Sequence, residues 1–120
     1  MIMIYTNPSM RELWASFSDE QRAQGWAVHN GFREDLINSG ELVHSEALVD
    51  PSQGKILSVV EGQTLTTDGP FAESKEQLAG FYLVECESME RAIEHAARLP
   101  EAGFGMVEVR AVLTMRGADM

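Results

Sequence analysis

Residues 1–6 are rich in β-formers and stop at Asn7-Pro8, so a first strand is expected to hand over to a helix that Asn7 caps and Pro8 begins. Met10, Leu13, Trp14 and Phe17 then recur at helical spacing, which gives that short helix one apolar face. The run Ser18-Asp19-Glu20-Gln21 has the form of a capping box and starts a longer helix. This helix should reach about Ser39, with Gly40 as its left-handed C-terminal cap. Projected at about 100° per residue, Trp26, Phe32, Leu36 and Ile37 share one broad side, and His29 and Arg33 fall inside the same arc.

Residues 41–49 form the next strand candidate, closed by the turn formers Asp50-Pro51-Ser52-Gln53-Gly54. Residues 55–60 read as the return strand of a hairpin with it. Glu61-Gly62 makes a second turn or bulge, and residues 63–67 lead to the bend Asp68-Gly69-Pro70-Phe71. Asp68 is expected to fold its carboxylate onto nearby backbone N–H groups there. Residues 80–87 supply an aromatic and branched strand. Ser88 caps a helix in which Met89, Ala92, Ile93, Ala96 and Ala97 repeat at three and four residues before Pro100. Ala102 to Gly105 reads as a flexible link, and residues 106–115 alternate as a last strand. This order matches a split βαβ, ferredoxin-like α+β fold: an antiparallel sheet with helices on one face. The other face would lack cover, so a homodimer is expected.

Size changes this picture little, because 120 residues at 44% hydrophobic content suit a single domain over 1–120. Charge excludes more. A net charge of -10 opposes attraction to phosphate backbones or anionic lipid, so no nucleic-acid or membrane partner is expected. No apolar run approaches the roughly 20 residues that span a bilayer, and a cytoplasmic location is expected. The single cysteine, Cys86, excludes an internal disulfide framework and ends an apolar strand, as a small hydrophobe would.

The words DGPFAESKEQLAGFYLVE, with the opening MIMIYT, the helix end INSGEL and the closing VEVRAV, resemble the YCII-related family and its DGPF branch. The similarity covers essentially the whole chain. It implies a ferredoxin-like fold paired into a dimeric α+β barrel, in a family most of whose members have no established activity. It also implies a proposed acid–base pair: a helix His eleven residues before the helix-closing glycine, and an Asp from the loop after the central strands. His29 before Gly40, and Asp68, match those positions.

A carboxylate beside the His29 imidazole would fix its tautomer and leave its other nitrogen for proton transfer. A histidine on an apolar helix face is more commonly a satisfied structural residue. Arg33 is a candidate contact for an anionic substrate or a neutraliser of Asp68 and Glu73, the second being the commoner role. Phe71 and Lys75 are the remaining candidate substrate contacts, although Lys75 in an acidic run also reads as a solvated charge. No G-x-S-x-G elbow marks Ser45, Ser74 or Cys86 as a nucleophile. His29, His44 and His95 lack metal-ligand spacing, so neither metal nor cofactor is expected, and His44 and His95 are placed at the surface.

Two functions follow. One is acid–base chemistry or small polar-molecule binding at His29 and Asp68; one relative resembles a dehydrochlorinase, which makes lyase-type proton abstraction the concrete enzymatic form. The other is a non-catalytic accessory or regulatory dimer, since DGPF relatives are often encoded beside extracytoplasmic-function sigma factors.

Overall fold

The computed structural model describes residues 1–71 and 75–113. Its elements are β1 (Ile2–Thr6), α1 (Pro8–Ser16), α2 (Asp19–Asn38), β2 (Leu42–Ala47), β3 (Lys55–Val60), β4 (Gln63–Asp68), β5 (Gln77–Val84), α3 (Met89–Ala96) and β6 (Val107–Val109). Local chemistry sets the helix starts. Asn7 accepts from the Met10 N–H, Ser18 and Gln21 complete both bonds of a capping box, and Ser88 accepts from the Arg91 N–H.

The main sheet runs β2-β5-β1-β6 with every neighbouring pair antiparallel, which is the ferredoxin-like order. Ile2 and Ile4 of β1 and Tyr82 of β5 point to the helices, where Phe32 and Leu36 of α2 meet Ala96 and Leu99 from the α3 side. Ile2 and Leu36 are fully buried, each contributing roughly 1.5–3 kcal/mol of apolar burial. Trp26 and Ile37, expected on the buried side of α2, are instead about half exposed. Trp14 of α1 lies over α2 at Gly25, where a Cβ would come within 2.9 Å of the indole, and Trp26 meets it edge-on.

The expected hairpin of residues 41–49 with 55–60 does not form. β2 pairs with β5, whereas β3 pairs with β4 in a separate two-stranded sheet. The turn chemistry explains the choice: Glu61 and Gly62 both have positive φ, closing a tight two-residue hairpin, while Pro51–Gln53 forms a 3-10 turn between the two sheets. β5 begins at Gln77, three residues before the expected start, because Leu78 and Gln77 continue the pairing with Tyr5 and Thr6 past a bulge. β6 stops at Val109, since only Ile2, Met3 and Ile4 of β1 are there to pair with it; residues 114–115 of the expected strand lie outside the described residues. The expected flexible link is a 3-10 turn, Pro100–Phe104, closed by left-handed Gly105. Met3, Phe81 and Leu83, of opposite parity to the core residues, occupy the helix-free face of the sheet.

Candidate functional site

α2 carries His29 one turn ahead of Arg33, on the side that crosses the sheet at β5 and β2. The imidazole meets two partners from elsewhere in the chain. Its Nδ1 lies 2.9 Å from the Tyr82 hydroxyl, and its Nε2 lies 2.7 Å and 3.0 Å from the two carboxylate oxygens of Glu101. An ionised carboxylate only accepts, so in the neutral ring Nε2 carries the hydrogen and Nδ1 accepts from Tyr82. Glu101, His29 and Tyr82 thus form one proton line. The imidazole and carboxylate side chains stay about one-fifth exposed, so the line reaches solvent.

Each member is held by packing. Tyr82 is buried in the middle of β5, with the Phe32 ring edge-on at 4.8 Å. Leu99 is 2% exposed and Pro100 starts the following turn, so Glu101 is aimed back toward α2 from an anchored backbone. Burial, then the charge of Glu101, push the Tyr82 phenol up to about 12, with Arg33 partly opposing them. Burial would raise the Glu101 carboxyl, but the hydrogen bond and charge of His29 outweigh it and leave the group below its ordinary value.

Arg33 completes the site. Its Nε donates to the Ser45 hydroxyl at 3.0 Å, and Ser45 is the register partner of Tyr82 across β2 and β5. Among the described arginines Arg33 alone has no acidic partner: Arg11, Arg22, Arg91, Arg98 and Arg110 each pair with Asp or Glu. In a chain with 19 acidic side chains against 9 Lys and Arg, an unpaired guanidinium is unusual.

The expected meeting of His29 with Asp68 does not occur in the chain. Both ring nitrogens of His29 are taken by Tyr82 and Glu101, while Asp68 ends β4 opposite Lys55 and pairs with its ammonium group. The Asp68 carboxylate therefore goes to a cross-strand cation and not to the backbone of its own bend. The register that sets Lys55 against Asp68 decides this. Arg33 does not neutralise Asp68 either; Glu73 and Ser74 lie outside the described residues. Phe71 is 61% exposed, and Lys75 is exposed too. A separate cleft of about 320 Å³ borders Phe71, Lys55, Ile56 and Leu78 at the base of the β3–β4 hairpin. The site the structure assembles keeps His29 and Arg33 and adds Glu101, Tyr82 and Ser45.

A second polar cluster contradicts the surface placement of His95, which is 6% exposed. Glu41, just after α2, receives Arg91 and lies 2.9 Å from His95 Nε2; Arg98 Nη2 is 3.0 Å from His95 Nδ1 and Nη1 bonds Asp35. Arg91, first among several donors, brings the Glu41 carboxyl down to about 2, and burial followed by Glu41 pushes the nearby Cys86 thiol up to about 11. Glu41, Cys86 and His95 present donor atoms within 4.8 Å of one another, as metal ligands would. The arginine decides against that use. A guanidinium can only donate, so His95 Nδ1 accepts and Nε2 holds the hydrogen given to Glu41, leaving no lone pair there for a metal. The cluster fastens α3 to the end of α2, and Cys86 is an inert thiol. His44 is exposed on β2, as expected.

The sheet order and the helices on one face make this a small α+β protein of ferredoxin-like fold. The chain belongs to the YCII-related family, whose domain model matches residues 1–116. It is similar to an uncharacterised protein of Rhizobium meliloti (strain 1021), 30% identical over 121 residues, which covers 99% of this chain and 95% of that protein. No helix among the described residues is long and apolar enough to cross a membrane.

Proposed function

We propose that this protein binds a small anionic molecule at Arg33 and moves a proton on it through His29. The unpaired Arg33 guanidinium beside the Glu101–His29–Tyr82 line carries the reading. Arg33 supplies the charge that recognises an anion. Glu101 orients the imidazole and stabilises the imidazolium that forms when Nδ1 takes a proton. Tyr82, kept un-ionised by burial, covers Nδ1 in the unliganded chain and has a second acceptor in the His29 carbonyl oxygen at 3.4 Å. Its hydroxyl can therefore turn aside. Asp68 has no part in this chemistry.

The acting species is a homodimer. The helix-free sheet face and the β3–β4 hairpin, which exposes Leu57, Val59 and Leu65, support a second copy as cover, because a lone two-stranded hairpin is marginal in water. Light scattering at micromolar concentration should give twice the 13.3 kDa chain mass; a monomer would remove this part of the reading.

The site reading is tested by titrating the protein with small carboxylates while following the His29 ring resonances by NMR. Saturable shifts that Arg33→Gln weakens about 10- to 100-fold are expected, as for loss of a charge-assisted bond. A second, non-catalytic reading has one observation in its favour: both His29 nitrogens are already satisfied inside the chain. It predicts that no carboxylate shifts His29 and that His29→Ala only lowers stability.

A further inference from the structure

We propose that the molecule bound at this site is a short 2-oxo or 3-oxo carboxylic acid, and that the site enolises it. The inference rests on the anion-binding, proton-moving reading above and adds the substrate class and the role of Tyr82. His29 and Arg33, one turn apart on α2, bond to Tyr82 and Ser45, which are register partners on β5 and β2, and the chemistry of Arg33, His29 and Tyr82 is complementary to three groups of an oxo acid. Arg33 meets the carboxylate, His29 Nδ1 the acidic C–H, and the Tyr82 O–H the ketone oxygen.

Spacing sets the length. His29 and Arg33 lie one helical turn apart, about 6 Å along α2. Their anchors on the sheet, Tyr82 and Ser45, are direct register partners on adjacent strands, about 5 Å apart. Cation and base are therefore spaced for a substrate whose labile C–H is on the carbon α or β to its carboxylate, as in 3-oxo and 2-oxo acids. Longer acids would carry the reactive carbon past Nδ1. In the unliganded chain the base and the phenol satisfy each other at 2.9 Å, which is the arrangement expected of a base and a donor awaiting a C–H and a carbonyl.

The step balances without a co-reactant. The C–H bond breaks and Nδ1 gains the proton. The bond pair moves through the α-carbon framework to the ketone oxygen, giving an enolate that accepts from Tyr82 O–H. The imidazolium is neutralised by Glu101 at 2.7 Å, and return of the proton to carbon closes the cycle. The high phenol pKa keeps Tyr82 a donor while the enolate forms.

The test is deuterium exchange in D₂O followed by proton NMR. Pyruvate, 2-oxobutanoate and acetoacetate are the probes; acetone lacks the carboxylate, and in 5-oxohexanoate the nearest labile C–H is on the carbon γ to it. Exchange on at least one short oxo acid should rise about 100-fold or more above buffer. Acetone and 5-oxohexanoate should stay near the buffer rate. His29→Gln should abolish the gain. Arg33→Gln should raise KM with a smaller change in kcat, and Tyr82→Phe should lower kcat about 10-fold while KM holds. Arg33 is exposed, so its variant keeps the test valid should His29→Gln fail to fold. Arg33-dependent binding of these acids with no exchange overturns the enolisation and leaves anion binding standing. Equal exchange on acetone overturns the substrate class. The absence of any Arg33-dependent binding overturns the site reading itself.

Discussion

Tyr82→Phe isolates the phenol of the proton line without disturbing its ring. Phe32 packs edge-on against that ring at 4.8 Å, and a phenylalanine keeps the contact. What disappears is one hydrogen bond to His29 Nδ1, worth about 0.5–1.5 kcal/mol net, together with the penalty of burying a hydroxyl. The orphaned nitrogen belongs to a side chain that is 19% exposed, so water recovers part of the loss. The expected cost is about 1 kcal/mol. A chain of 120 residues unfolds with an entropy of about 0.25 kcal/mol/K near its midpoint, so the Tm should fall by roughly 4 °C. Urea denaturation of Tyr82→Phe, Glu101→Gln and the double variant would resolve the coupling, because both residues act through one imidazole. An interaction energy of at least about 0.5 kcal/mol is expected. Additivity within about 0.3 kcal/mol would refute the claim that the three side chains act as a unit.

Other variants test the frame around the site. Leu36→Ala opens the centre of the core and should cost about 3 kcal/mol by denaturant unfolding, since Leu36 is fully buried. Gly31→Ala should stabilise by about 0.5–1 kcal/mol, because nothing lies within 4 Å of the added methyl in mid-helix, whereas Gly25→Ala should not, its Cβ meeting Trp14 at 2.9 Å; equal gains would refute that packing. Glu41 has a folded pKa of about 2 against an ordinary 4.5, so its contribution is complete above about 4.5 and is lost as pH falls toward 2. Glu41→Gln should flatten that part of the acid-unfolding profile, and an unchanged profile would contradict the Arg91–Glu41–His95 assignment. Glu101, also depressed, adds a loss of the same sign on acidification.

The helices were legible because their signals are local. Asn7, the Ser18–Gln21 box, Ser88 and Gly40 act within one turn of the backbone, and each cap forms as its residue type dictates. Strand partners were not legible to the same degree. Residues 41–49 and 55–60 look like hairpin neighbours in sequence, but pairing is decided by which turn is tightest and by the long-range match of β2 to β5. The site divides along the same line. His29 and Arg33 stand out as polar residues within an apolar helix arc. Tyr82 left only the parity of an inward strand position, and Glu101 lay between Pro100 and the link expected from Ala102 to Gly105. Asp68 does not meet His29 within the chain, because its partner, Lys55, lies across a hairpin that the pattern had paired differently. His95 was misplaced because its glutamate partner, Glu41, lies 54 residues away just after α2.

The arrangement of His29 can be read directly from its ring nitrogens. Long-range ¹H–¹⁵N correlation spectra, taken at a pH where the ring is neutral, distinguish the two tautomers. The structure predicts a protonated Nε2 facing Glu101 and an unprotonated Nδ1 facing Tyr82, with the Nδ1 shift moving in Tyr82→Phe and unaffected by Asp68→Asn. A protonated Nδ1, or a ring that answers to Asp68 and ignores Tyr82 and Glu101, would contradict the account.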